Sequence, residues 1–227
     1  MQVILSGEGP SDLGSKNDST FQKGPMCYIL DALFKEIDVT PSYDYISERE
    51  LADLKKKYKR YFLGKKGVKK GQRDLFISAK VLALYTIEKH AMDTAVILFR
   101  DSDGTRSAPE SLWKEKWDAI TYGFKAAPFN NGIPMLPRPK SEAWLLGYYQ
   151  KGLEGQTEYN ACERFENFSG NDSSDTSLKK LLSKAFGGID NPYESITQTD
   201  IMAIDWNRID MPSFNAFKKR FNEVFQG

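Results

Sequence analysis

Ala95-Val96-Ile97-Leu98-Phe99-Arg100-Asp101-Ser102-Asp103-Gly104-Thr105 is the stretch on which the fold of this chain turns. Five apolar residues stop abruptly, and two aspartates follow with a glycine behind them. A short, continuous apolar run reads as a strand buried on both faces. Gly104 allows the chain to curl so that both aspartates reach one point. The same arrangement stands at the N-terminus, where Val3-Ile4-Leu5-Ser6 runs into Gly7-Glu8-Gly9-Pro10-Ser11-Asp12. In an open α/β sheet ligands gather at the carboxyl ends of the strands. Carboxylates collected there suit Mg²⁺ or Mn²⁺, which take hard oxygen ligands and serve phosphate chemistry.

Around these two stretches the pattern alternates strand and helix. Residues 2–6 read as a strand and 11–23 as a polar loop. Pro25 starts a helix with Ile29, Leu30, Leu33 and Phe34 at helical spacing. Residues 39–46 read as a second strand, weakened by Pro41, and Ser47-Glu48-Arg49-Glu50 as a capping box. Helices are predicted at about 75–91 and 109–126, the latter with Trp113 and Trp117 on one face. A short strand at 133–136 ends in Pro137-Arg138-Pro139, and a further helix begins Ser141-Glu142-Ala143-Trp144, where Ser141 reads either as an ordinary helix cap or as part of a functional strand-to-helix junction. Residues 154–177 read as a long polar loop, followed by helices at 177–186, 193–204 and 212–225. The expected fold is α/β: a Rossmann-like, mostly parallel sheet flanked by helices. Residues 1–150 form the main domain, and 151–227 add a loop and a helical C-terminal extension packed on it.

Composition narrows the chemistry. The 227 residues are 40% hydrophobic and 28% charged, an ordinary globular balance. The longest strongly apolar run, Ala95 to Phe99, is far too short to span a bilayer. The N-terminus shows no secretory pattern, so a cytoplasmic location and no membrane partner are expected. Cys27 and Cys162 are the only cysteines and His90 the only histidine, which excludes His/Cys zinc sites and HxxxH metalloproteases. His90 reads as a helix-end residue.

Charge is unevenly spread. Residues 1–53 carry ten acids and four bases, whereas 54–73 carry ten bases and no acid. Lys55, Lys56, Lys57, Lys59, Arg60, Lys65, Lys66, Lys69, Lys70 and Arg73, interleaved with Tyr58, Tyr61 and Phe62, form a basic insertion. Its lack of acids argues against a salt-bridged face. It reads instead as a track for a nucleic-acid backbone, to which Arg138 adds a further base.

At this point the chain resembles the Toprim fold, the metal-dependent domain shared by topoisomerases, primases and the overcoming-lysogenisation-defect (OLD) nucleases. Glu8-Gly9 at the first strand and Asp101-Ser102-Asp103 at a later one carry the resemblance, and Asp12 stands where the nuclease branch has a second acid. Ser141-Glu142-Ala143-Trp144-Leu145 and Pro212-Ser213-Phe214-Asn215-Ala216-Phe217 are similar to the short stand-alone Toprim-like proteins of bacteria and phages. The likeness covers residues 1–150 and, more loosely, the tail. The basic insertion, which lengthens the interval from Glu8 to Asp101, departs from the pattern, as does the lack of an accompanying ATPase segment.

The resemblance implies Mg²⁺- or Mn²⁺-dependent hydrolysis of a phosphodiester in nucleic acid, most simply DNA. Glu8, Asp12, Asp101, Asp103 and Glu142 would hold the metal. Glu8 would share the metal or activate water, and Lys140 or Arg138 would neutralise the transition state. A separate ATPase or sensor partner and a role in phage defence follow from the family alone. Two rivals stand beside this reading. Phe99 to Thr105 also resembles the Asp-x-Asp-Gly-Thr motif of haloacid-dehalogenase phosphatases, with Asp101 as nucleophile. Against it, the motif lies late in the chain, no later strand ends in paired acids, and Glu8 is left without a role. The other rival is a non-catalytic nucleic-acid-binding module.

Overall fold

The computed structural model describes residues 1–17, 20–61, 72–90, 93–102, 110–169, 171–174 and 177–227. Its elements, in chain order, are β1 (Gln2–Gly7), a π-turn (Gly9–Leu13), β2 (Gly14–Asn17), β3 (Thr20–Lys23), α1 (Pro25–Glu36), β4 (Ser42–Ile46), α2 (Glu48–Lys57), α3 (Arg73–Lys89), β5 (Ala95–Phe99), α4 (Glu110–Lys125), β6 (Gly132–Met135), α5 (Ser141–Tyr149), α6 (Leu178–Ala185), α7 (Gln198–Met202) and α8 (Pro212–Phe225). Short 3₁₀ turns join several of them. Among the described residues no helix is long and apolar enough to cross a membrane.

Four strands form one sheet in the order β4-β1-β5-β6, every pairing parallel. Both faces are covered, which is why β1 and β5 are near-continuous apolar runs, while the edge strand β4 keeps polar residues. Val3, Leu5, Ile97, Phe99, Ile133 and Met135 face one core, shared with α1, α5 and α8. Ile4, Val96 and Leu98 face the other, shared with α2, α3 and α4. The C-terminal helices belong to the first core: Trp144 of α5 stacks on Phe217 of α8 at 5.4 Å and meets Phe214 edge-on at 5.1 Å. Trp144 Nε1 also donates to Ser213 Oγ at 2.8 Å, so the indole is buried without an orphaned donor.

The strand order gives the sheet its polarity of function. β1 lies between β4, the next parallel strand in the chain, and β5, the one after that. The chain therefore leaves β1 toward one side and later returns on the other. This is a topological switch point, where the loops after β1 and β5 separate and leave a crevice at their carboxyl ends.

The local expectations are met at most boundaries. Ser47 and Glu50 form the reciprocal capping box of α2. His90 stands at the C-terminal end of α3. Cys27 and Cys162 are buried free thiols. Other expectations are corrected. Within 11–23, the described residues are the π-turn and the paired strands β2 and β3, not a loop; Phe21 stacks on Tyr45 at 4.8 Å, an apolar anchor that the polar composition concealed. The second parallel strand begins only at Ser42, after Pro41. The helix expected over 193–204 divides into a 3₁₀ turn (Pro192–Ser195) and α7, because Thr197 and Asp200 make a new capping box. The 154–177 region contains a 3₁₀ helix at Cys162–Asn167.

Candidate metal and phosphate site

The loops after β1, β5 and β6 meet at the switch point and are joined by backbone N–H groups that donate to carboxylates and carbonyls of the neighbouring loop. Glu8 Oε1 accepts from the Asp101 N–H at 2.9 Å, joining the first two. Ser102 N–H lies 3.2 Å from Pro137 O and 3.1 Å from Pro139 O, joining the second and third. Ser141 N–H, at the start of α5, donates to Asp101 Oδ1 at 3.0 Å, so the helix N-terminus holds one aspartate oxygen. The three acid-bearing junctions therefore converge.

Asp12 is brought in by the π-turn. Gly9 takes φ +80°, and a Cβ there would sit 2.7 Å from Asp12 Oδ2. A side chain at Gly24 would meet the Asp12 carbonyl at 2.3 Å. Both glycines are thus required for Asp12 to fold back toward α5. There its Oδ1 accepts from Ser141 Oγ, which lies 2.8 Å from the Tyr193 hydroxyl.

These groups line a cavity of about 450 Å³ bounded by Asp12, Asp101, Lys140, Glu142, Asp172, Lys179, Asp190 and Tyr193, among others. Five carboxylates against two ammonium groups make it strongly acidic. The carboxyls respond as crowded, desolvated acids do. Burial pushes Asp101 well above the usual range, and the charges of Asp12, Glu142 and Glu8 push it further. Burial likewise raises Glu142, to about 7, with Asp12 adding to it. Asp12 is raised by burial, against the lowering effect of its hydrogen bonds from Ser141 and Tyr193. Lys140 would be lowered by burial, yet its hydrogen bond to Asp172 at 2.9 Å and the surrounding acids raise it.

The donor set fits Mg²⁺ or Mn²⁺. All the acidic ligands are oxygen donors, and Glu142 is only 6% exposed. Its Oε2 is buried with no hydrogen-bond partner among the described residues. An orphaned carboxylate oxygen is costly unless a cation completes it. No three Asp, Glu, His or Cys side chains among the described residues are grouped tightly enough to hold one ion directly. A cation here would therefore take one or two carboxylates, with water or substrate phosphate completing its shell, as Mg²⁺ can.

The remaining sequence candidates are placed less uniformly. Asp103, Lys65, Lys66, Lys69 and Lys70 lie outside the described residues. Glu8 adjoins Asp101 but commits one oxygen to its backbone. Of the two sequence readings of Ser141, the helix cap is not the one observed; its hydroxyl goes across to Asp12. Arg138 is not a surface base: it is 6% exposed and paired with buried Glu166 at 3.1 Å, and Glu166 Oε1 accepts from Ser213 N–H at the start of α8 at 2.7 Å. The first half of the basic segment is salt-bridged after all. Lys55 meets Asp74 at 2.8 Å, Lys56 meets Asp53 at 2.7 Å, and Lys57 meets Glu88 at 2.9 Å. The acids come from neighbouring turns and from α3, so counting acids within 54–73 missed them. Lys59, Arg60 and Arg73 are exposed, with Arg60 lying over the Tyr61 ring at 4.8 Å.

Tyr193, Asp172, Lys179 and Asp190 were not foreseen. They come from the polar C-terminal region, where no spacing or strand end marks them. No protein-family model, curated protein or solved structure matches this chain.

Proposed function

We propose that the protein is a divalent-cation-dependent phosphodiesterase acting on nucleic acid, with its chemistry in the switch-point cavity. The observation that carries this reading is the meeting of Asp12, Asp101 and Glu142 from three loops around one cavity. The unpartnered Glu142 Oε2 accompanies it. A cavity with five carboxylates repels phosphate when empty. A bound divalent cation would reverse the local field and supply Lewis-acid polarisation of a phosphoryl oxygen.

In this reading Asp101 and Glu142 would hold the cation, with Asp12 and Glu8 reaching it through water. The Ser141 N–H holds one oxygen of the Asp101 carboxylate, and Asp101 lines the cavity. Lys140, released from Asp172 by an incoming phosphate, neutralises charge that builds on the phosphoryl oxygens. The nucleic-acid part of the proposal is supported by the basic segment, of which Lys59, Arg60 and Arg73 are exposed. The Toprim and OLD-nuclease likeness supports the same assignment.

Mn²⁺ titration followed by paramagnetic resonance, paired with cleavage of labelled single- and double-stranded DNA and RNA, tests the proposal. The expected result is saturable Mn²⁺ binding that Asp101→Ala abolishes, and cleavage that needs the cation. Wild-type protein with no Mn²⁺ site, or an Asp101→Ala variant with unchanged affinity, refutes it. An aspartyl-phosphate mimic trapped on Asp101 by beryllium fluoride would move the assignment to a phosphatase.

A further inference from the structure

The cavity has a wall that the metal-site reading does not use. Tyr193 lies in the 3₁₀ turn at Pro192–Ser195, 52 residues from Ser141 in sequence, yet its hydroxyl reaches Ser141 Oγ at 2.8 Å. Ser141 has one hydroxyl proton, and it goes to Asp12 Oδ1. Tyr193 also bonds to Asp12 itself, so Asp12 is held by two hydroxyls that meet one another, those of Ser141 and Tyr193. Oδ2 takes a long, 3.4 Å contact from Ser11 Oγ.

We infer that Tyr193 is a positioning residue for the metal site, orienting Asp12 together with Ser141 and making the C-terminal segment part of the active centre. This inference rests on the metal-dependent reading above. Hydrogen-bond partners of this kind hold an acid in one orientation before the ion arrives. Their loss typically lowers metal affinity about 10- to 100-fold. Tyr193 is suited to the task because its ring is held by the fold while its hydroxyl projects among Asp12, Asp101 and Glu142, whose charges act on it. The Ser141 backbone and hydroxyl serve two acids at once, Asp101 and Asp12. One residue thus ties the β1 and β5 loops to the C-terminal segment.

A double-mutant cycle on Mn²⁺ affinity separates positioning from general packing. Wild type, Tyr193→Phe, Ser141→Ala and the double variant are titrated with Mn²⁺, and each is checked by thermal melting. Both single changes remove an oxygen without adding bulk, so the fold should persist. Should Tyr193→Phe nevertheless fail to fold, the Ser141→Ala arm still reads the other hydroxyl that holds Asp12. The expected outcome is an affinity loss of about tenfold or more in Tyr193→Phe. The double variant should lose less than the two single losses combined, because both hydroxyls hold the same carboxylate and bond to each other. Tyr193→Phe within about twofold of wild type, additive losses, or an unaltered Ser141→Ala would overturn the inference while leaving the metal site standing. A wild type without any Mn²⁺ site would remove both.

Discussion

Glu142→Gln offers the sharpest test of the acidic cavity, because it predicts a gain in stability. The Glu142 carboxyl moves from its ordinary 4.5 to about 7 in the folded protein, chiefly through burial and secondarily through Asp12. The folded state therefore holds this proton more tightly than the unfolded chain. By linkage, stability is highest below about 4.5 and declines as pH rises toward 7, where the folded protein must accept the buried charge. The interval corresponds to about 3 kcal/mol, at about 1.4 kcal/mol per pH unit. Glutamine resembles the protonated acid and removes that pH dependence. Its amide adds a cost of about 1–3 kcal/mol if it lacks a partner, but that cost does not change with pH. The measurable quantity is therefore the stability difference between variant and wild type at pH 8, less the same difference at pH 4. Chemical denaturation in chelator should give about 3 kcal/mol in favour of the variant, or roughly 6–12 °C in melting temperature for a chain of this size. With Mn²⁺ at about a hundred times its dissociation constant, wild type should gain about 2.7 kcal/mol and the variant far less. A difference that changes by less than about 1 kcal/mol between the two pH values would refute the claim that Glu142 is ionised at a desolvation cost.

Further outcomes follow from other parts of the structure. Gly9→Ala forces a side chain into a left-handed backbone and against Asp12 Oδ2; it should lower stability by about 1–2 kcal/mol and weaken Mn²⁺ binding, and a variant matching wild type in both would show that the π-turn does not place Asp12. Arg138→Ala leaves the buried Glu166 charge unpaired, so chemical denaturation should show a loss of about 3–5 kcal/mol; a loss below about 1 kcal/mol would return Arg138 to the surface. Replacing Lys65, Lys66, Lys69 and Lys70 together by Ser should flatten the salt dependence of nucleic-acid binding by about 0.7–0.9 in log–log slope for each phosphate that is no longer neutralised, with Mn²⁺ affinity unchanged. A wild-type slope in that variant would mean these lysines are merely solvated.

Much of the frame is dictated locally. The apolar runs Val3-Ile4-Leu5 and Ala95 to Phe99 have no polar side chain to present to water, so each must be buried on both faces, and helices must cover them. The acids that follow these strands were legible for the same reason: a buried strand that stops at a carboxylate places it at a sheet edge. Ser47 and Glu50 satisfy each other within one turn, so that capping box could be read without knowing its surroundings. The tertiary structure decided what each polar group is paired with. Ser141 looks like a helix cap, but Asp12, 129 residues away in sequence, takes its hydroxyl. Arg138 looks like a surface base, but the fold sets it against Glu166. Lys55 and Lys57 look like an unpaired basic face until α3 brings Asp74 and Glu88 beside them. Tyr193 carries no local mark at all. Hydrophobic burial is a property of a segment and is visible in its residues, whereas hydrogen bonds and ion pairs are properties of two groups, and the chain must close long loops before the second group arrives.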